Sequence, residues 1–174
     1  GLYSALALKG FFPFEDLKTL RHIDSYLQGH PNMNTVPGID MSTGSLGQGI
    51  SAAAGMAKGA KYLDKDINVY TLLGDGEIEE GQVWEAMMFA SQYKLDNLCV
   101  IVDVNGLQID GKCEDVMNAE PIDKKMEAFG LNVIKINGND FDELEKAFNA
   151  FHENIGSGKP FGIIMKTVKG LGVS

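Results

Sequence analysis

The stretch LLGDGEIEEGQVWEAM, residues 72–87, concentrates acid where an apolar run gives way to a helical pattern. Asp75, Glu77, Glu79 and Glu80 stand within six positions and repel one another unless a cation, a helix N-terminus or water offsets them. Further on, VDVNG (102–106) puts Asp103 and Asn105 at the end of another apolar run. A carboxylate and a carboxamide oxygen held together are hard-oxygen ligation, suited to Mg2+ or Ca2+ and not to zinc. Mg2+ takes six oxygens, so a protein supplying two or three shares its ion with water or a polyphosphate. Gly74 and Gly76 remove side chains where a phosphate would meet backbone N–H groups, and the positive end of the following helix favours the same charge. A plainer reading also stands. Gly-Asp-Gly is a common turn, and Glu77, Glu79 and Glu80 are ordinary dipole partners in a first helical turn. The residues alone reach as far as a divalent cation holding a phosphorylated cofactor.

Such a site needs two strand ends side by side. Four near-continuous apolar runs read as strands covered on both faces: INVYTLL (67–73), NLCVIVDV (97–104), LNVIKIN (131–137) and FGIIMKTV (161–168). Helical patterns separate them, and the rhythm predicts a single α/β domain, a doubly wound, mostly parallel sheet with helices on both faces. In such sheets ligands sit at the carboxyl ends of the strands, where Asp75 and Asn105 fall. The helix behind Asp75 carries Trp84, Met88, Ser91 and Leu95 on one side and Val83, Met87 and Ala90 on the next, a wide apolar face. Phe141, Leu144, Phe148, Phe151 and Ile155 repeat with helical period, GND (138–140) supplies the N-cap and GSGKP (156–160) the stop. The Gly-, Ala- and Ser-rich segment 47–63 reads as a helix with a small face, either for tight packing on the sheet or to bring its N-terminus near a ligand.

Composition narrows the partners. A net charge of -9 argues against nucleic acid or an anionic membrane. Arg21 is the only arginine, so this chain alone builds no multi-guanidinium clamp for phosphorylated substrates. Cys99 and Cys113 match neither a zinc spacing nor a disulfide scaffold, which points to a reducing cytoplasm. No apolar run reaches the ~20 residues of a membrane span. No Gly-x-Gly-x-x-Gly follows a strand, which argues against a nicotinamide site. The opening GLYSALALKGFF is helix-like, apolar and without Met, and predicts further sequence upstream.

GDGEIEEGQVWEA followed by VDVNGLQIDG resembles the thiamine diphosphate signature, and more narrowly the transketolase family. QGHPNMN (28–34), STGSLGQGISAAAGMA (42–57) and KGLGVS (169–174) agree with it, and GSLGQG is similar to transketolases made as separate N- and C-terminal subunits. The resemblance implies a thiamine diphosphate-binding fold over 1–174 and transfer of a two-carbon ketol unit from a ketose phosphate to an aldose phosphate. It implies Mg2+, with Ca2+ or Mn2+ as substitutes, held by the side chains of Asp75 and Asn105 and the Leu107 carbonyl. Gly74, Gly76 and the Glu77 N–H would face the diphosphate, and Gly44, Ser45 and Leu46 would line the cofactor through their main chain. His30 would contact the donor sugar, although as a residue of a GHP loop it also reads as solvated. Glu80 and Glu85 match glutamates near a subunit interface; from its position Glu85 is either a buried carboxylate needing a partner or the helix's wet stripe. His22 and His152 receive no role.

The resemblance further implies a homodimer, a C-terminal transketolase subunit, or both. The glutamate that activates the aminopyrimidine and the arginines that grip sugar phosphates belong to the pyrimidine-binding part. Family histidines are expected upstream of Gly1 and after Ser174, so the chain is expected to be cut at both ends and inactive alone. Val104 stands where many relatives carry a polar residue, with the ligand Asn105 kept. Another thiamine diphosphate enzyme, such as a deoxyxylulose-phosphate synthase, or a non-catalytic subunit keeping the fold are the alternatives.

Overall fold

The computed structural model describes residues 1–109 and 111–173, so Ser174 of KGLGVS and Asp110 of VDVNGLQIDG lie outside the described residues. The chain divides into two compact units, Gly1–Ser45 and Leu46–Ser174.

The first unit holds one helix, α1 (Leu2–Leu8), and a 3-10 helix at Phe14–Thr19. Its core is small: Leu6, Ala7, Phe12, Leu27, Val36 and Ile39 are buried together. Polar ties finish it. Tyr26 Oη donates to Asp16 Oδ2 at 2.6 Å, and that hydrogen bond, ahead of burial, pushes the phenol up to about 12.

The second unit is the α/β body. Its elements run α2 (Gly49–Tyr62), β1 (Val69–Gly74), α3 (Gly81–Gln92) and β2 (Leu98–Val104), then the short ribbon β3 (Leu107–Gln108) and β4 (Gly111–Lys112). After these come α4 (Cys113–Val116), α5 (Ile122–Ala128), β5 (Asn132–Asn137), α6 (Phe141–Asn154) and β6 (Phe161–Lys166). The four predicted strands form one sheet in the order β1-β2-β6-β5, with every neighbouring pair parallel.

The order explains the layers. Parallel crossovers are right-handed, so connections that advance across the sheet put their helices on one face, and a connection that returns uses the other. From β1 to β2 and on to β5 the chain advances, and α3 and α5 share one core with α2, including Val83, Met87, Ile122 and Met126. From β5 to β6 it steps back, and α6 lies in the opposite core through Ala147 and Phe151. Burying Val100, Val102, Ile163 and Leu98 contributes about 1.5–3 kcal/mol each.

Helix ends follow local chemistry. Asp140 caps α6 by accepting from the backbone N–H of Asp142 and Glu143, as its position after GN predicts. On α2 the alanines Ala53, Ala54, Ala57 and Ala60 are buried, and the Cβ positions of Gly55 and Gly59 face open space.

Three expectations are corrected. A 3-10 turn, Glu77–Glu79, separates the Gly-Asp-Gly turn from α3, whose first turn holds no acid. The wide apolar face of α3 is narrower than its spacing suggests: Val83, Ala86, Met87 and Ala90 are buried, and Met88 is 53% exposed. Phe141, at the start of α6, is 87% exposed, because it stands one turn before Leu144 makes contact with the core.

Candidate cofactor and metal site

Parallel pairing sets Gly74 opposite Asp103, which brings the ends of β1 and β2 side by side. Asp75, only 4% exposed, closes the gap between them. Its backbone N–H donates to the Asp103 carbonyl at 3.1 Å. Its Oδ1 accepts from Gly76 N at 3.0 Å and its Oδ2 from Gly106 N at 2.7 Å. The carboxylate thus spans from its own strand to the residue after Asn105. Among the described residues it forms no ion pair.

Asn105 is oriented by its neighbour. Its Nδ2 donates to Asp103 Oδ2 at 3.1 Å, and Thr167 Oγ1 donates to Asp103 Oδ1. A carboxylate accepts only, so Asp103 fixes which end of the carboxamide is nitrogen. Asn105 Oδ1 accepts from Leu107 N at 3.0 Å and keeps a second lone pair. Cys113 N donates to Gly106 O, which makes Leu107 and Lys112 a non-hydrogen-bonded pair of the β3–β4 ribbon. The Leu107 carbonyl is left out of the ladder. A carboxylate, a carboxamide oxygen and a free carbonyl are hard donors, and this set fits Mg2+ in type and number if water and a phosphate complete the shell.

The remaining acids are each handled separately. Glu77 Oε1 accepts from Gly47 N at 2.9 Å and Glu77 Oε2 from Gly74 N at 3.0 Å. Glu79 accepts from Gln108 Nε2 at 3.0 Å. Glu80 is exposed, and its stem fills the space beside Gly47, where an added Cβ would lie 2.8 Å from Glu80 Cβ. Gly47 also has φ +78, so only glycine fits there. Glu85 is exposed, on the wet stripe of α3. The four carboxylates do not share one cation; three of them are met by N–H groups from different segments.

The glycines of the turn differ. A Cβ on Gly76 would meet Gln108 Cβ at 3.0 Å, so the chain's own packing demands glycine there. A Cβ on Gly74 would find nothing closer than 4.0 Å, so room is left at the strand end. Among the described residues no acceptor takes the Glu77 backbone N–H. A cleft of about 420 Å3 opens beside Asp75 and Gly106, with Lys112 and Lys166 also on its walls. Cys113 borders it as a buried free thiol, pushed up by burial and then by the Asp75 carboxylate.

In the first unit, His30 and Gly44 are brought together. An added Cβ on Gly44, whose φ is +140, would lie 2.5 Å from the His30 ring. The histidine is exposed but lies over that glycine, which fixes the loop where it sits. Ser45 and Leu46 are both exposed. In the second unit the sequence foretells neither Asp103 as the partner of Asn105 nor Gln82. Gln82 Nε2 donates to Gly47 O at 3.2 Å and to Ser51 Oγ at 3.0 Å. Asp103 was detectable two places before the asparagine; nothing local in the sequence marks Gln82.

The family described as transketolase, thiamine diphosphate binding domain, matches residues 1–174. A 6-deoxy-6-sulfo-D-fructose transketolase subunit of a Clostridium strain is 46% identical over 99% of this chain. One subunit of the apulose-4-phosphate transketolase of Actinobacillus succinogenes is 43% identical over 100% of it. This chain spans 62% of the length of each of those relatives. The crystal structure of transketolase from Campylobacter jejuni superposes with TM-score 0.85 at 37% identity, covering 99% of this chain and 28% of that one. The chain belongs to the transketolase family, as its thiamine diphosphate binding domain.

Proposed function

We propose that this chain is the N-terminal part of a transketolase, which holds the diphosphate of thiamine diphosphate through Mg2+. The observation that carries the reading is Asp75: a buried carboxylate that joins two strand ends and has no cation of its own among the described residues. An ionised group buried in this way calls for a partner charge, and Asn105 Oδ1 and the Leu107 carbonyl supply the other hard donors. The Glu77 N–H, which no acceptor takes among the described residues, and the room at Gly74 suit a diphosphate oxygen.

In this reading the assembled enzyme moves a two-carbon ketol unit from a ketose phosphate, or a ketose with another terminal anion, to an aldose phosphate. The bound cofactor supplies the electron sink. The chain's own contribution is placement. Asp103 and Thr167 aim Asn105, Gly44 and Ser45 line the cofactor through their main chain, and His30 contacts the donor sugar. A pyrimidine-domain partner is required, because Arg21 is the only arginine here and cannot grip the sugar phosphates alone. That partner is a second copy, a C-terminal subunit, or both. Exposed Glu80 and Glu85, beside exposed Met88 and Phe89 on α3, support an interface on that side. Two buried free thiols are consistent with a reducing cytoplasm.

Calorimetric titration of the assembled enzyme with thiamine diphosphate tests this. Saturable binding that requires Mg2+ and falls at least 100-fold in Asp75→Asn is expected. Absence of binding in the assembled wild type would overturn it. Profiling ketose phosphates against a sulfonated ketose then fixes the donor class.

A further inference from the structure

Glu77 does more than place its backbone N–H. Its two carboxylate oxygens reach in different directions, one to Gly47 N at 2.9 Å and one to Gly74 N at 3.0 Å. Gly74 N lies at the open edge of β1, since the next N–H along, that of Asp75, turns inward to β2. Gly47 stands just before α2, at the end of the Leu46 segment. The same Gly47 is gripped from two further sides, by the Glu80 stem and by Gln82 through the carbonyl oxygen. Glu77, Glu80 and Gln82 therefore converge on one left-handed glycine from a single six-residue stretch.

We infer that Glu77 is a positioning residue, a two-pronged latch that makes the Leu46–Gly47 segment and the Gly74–Gly76 turn one rigid body before the cofactor arrives. The inference rests on the cofactor-binding reading above and deepens it. Without the latch the Gly47 segment keeps backbone freedom, and ordering it costs about 1–2 kcal/mol per residue at the moment of binding. Glutamate suits the task because both oxygens accept and the charge strengthens both bonds. Glutamine keeps the shape but offers one accepting oxygen, and turns an NH2 group on the other N–H.

Glu77→Gln in the assembled enzyme is the test, with Glu77→Asp, one methylene too short to span both amides, as its companion. Both variants are expected to bind thiamine diphosphate about tenfold more weakly at fixed Mg2+, the loss of about one charge-assisted hydrogen bond. The KM for the donor sugar at saturating cofactor is expected to shift less than twofold, a split that general loosening of the fold would not give. Nitrogen-15 glycine labelling of Glu77→Ala, which removes both acceptors, supplies a second readout, since the Gly47 and Gly74 amide protons are expected to lose their carboxylate-bonded downfield positions together. Cofactor affinity within twofold of wild type in Glu77→Gln, or movement of only one glycine amide in Glu77→Ala, overturns the latch. A wild-type enzyme that binds no cofactor would instead sink the parent reading.

Discussion

At each end of the sheet a buried aspartate accepts from two main-chain N–H groups. Asp75, at the carboxyl rim, takes Gly76 N and Gly106 N. Asp96, at the opposite rim, takes Gly156 N and Gly158 N through Oδ2, both at 2.9 Å. Both residues are 4% exposed. The difference lies in the countercharge. Lys61, from the end of α2, sits 2.5 Å from Asp96 Oδ1, and no described residue forms such a pair with Asp75. One rim is balanced within the chain and serves cohesion. At the other, the carboxylate is met by N–H groups and by no ion pair among the described residues, which is the contrast that the proposed metal site rests on.

Paired substitutions break or sharpen this contrast. Removing Asp96 by Asp96→Ala strands Lys61 and two glycine N–H groups, and is expected to cost about 3 kcal/mol of stability, roughly 6–12 °C in Tm. The Asp75→Asn variant removes a charge with which no described residue forms an ion pair, and turns an NH2 group on one of its two N–H donors, so its Tm without ligand is expected to fall by less than that of Asp96→Ala. Thermal denaturation of the two variants side by side checks both. If Asp75→Asn without ligand melts as low as Asp96→Ala, the two rims are alike and the contrast fails.

Acid sensitivity follows from the same feature. Burial raises the Asp96 pKa, but the Lys61 ammonium and the two glycine N–H groups outweigh it and hold the carboxyl below its ordinary value of 3.8. A depressed folded pKa gives stability that is present above the unfolded value and lost as pH falls through the folded one. Tm is therefore expected to drop as pH goes below about 4, and Asp96→Asn to flatten that part of the profile. An unchanged slope in the variant would assign acid unfolding to other groups.

The smallest expected effect is the most local. Thr167→Val removes the hydroxyl that steadies Asp103, which in turn aims Asn105. A loss of roughly tenfold in Mg2+ affinity is expected, the lower end for groups that orient a ligand from behind. Asp103→Asn should lose more, because an amide opposite Asn105 no longer dictates which end faces the ion. Equal Mg2+ affinity in wild type and both variants would show that Asn105 needs no such steering.

Much of this architecture was legible in the residues. Runs such as LCVIVDV hold apolar side chains on both faces of a strand, which only a covered sheet accommodates, and Asp140 announces its helix by local capping chemistry. The pairing of Asp75 with the Asn105 loop also followed from strand-end logic. What escaped depended on distant partners. The 3-10 turn at Glu77–Glu79 carries no periodic signal, and Glu77 and Glu79 are satisfied by Gly47 and Gln108, each about thirty positions away. The first unit was equally opaque. Leu27, Val36 and Ile39 are buried on irregular backbone, where no period marks which side faces in.

The strand order carries a consequence for assembly. β6 follows the other three described strands in the chain, yet it lies between two of them, β2 and β5. A nascent chain that ends before Phe161 has its β1–α3–β2 half and its β5–α6 segment but nothing to join them. The two halves wait with apolar edges bare until β6 slides between them. Ribosome stalling or proteolytic trimming ahead of Phe161 would thus strand a sticky half-sheet.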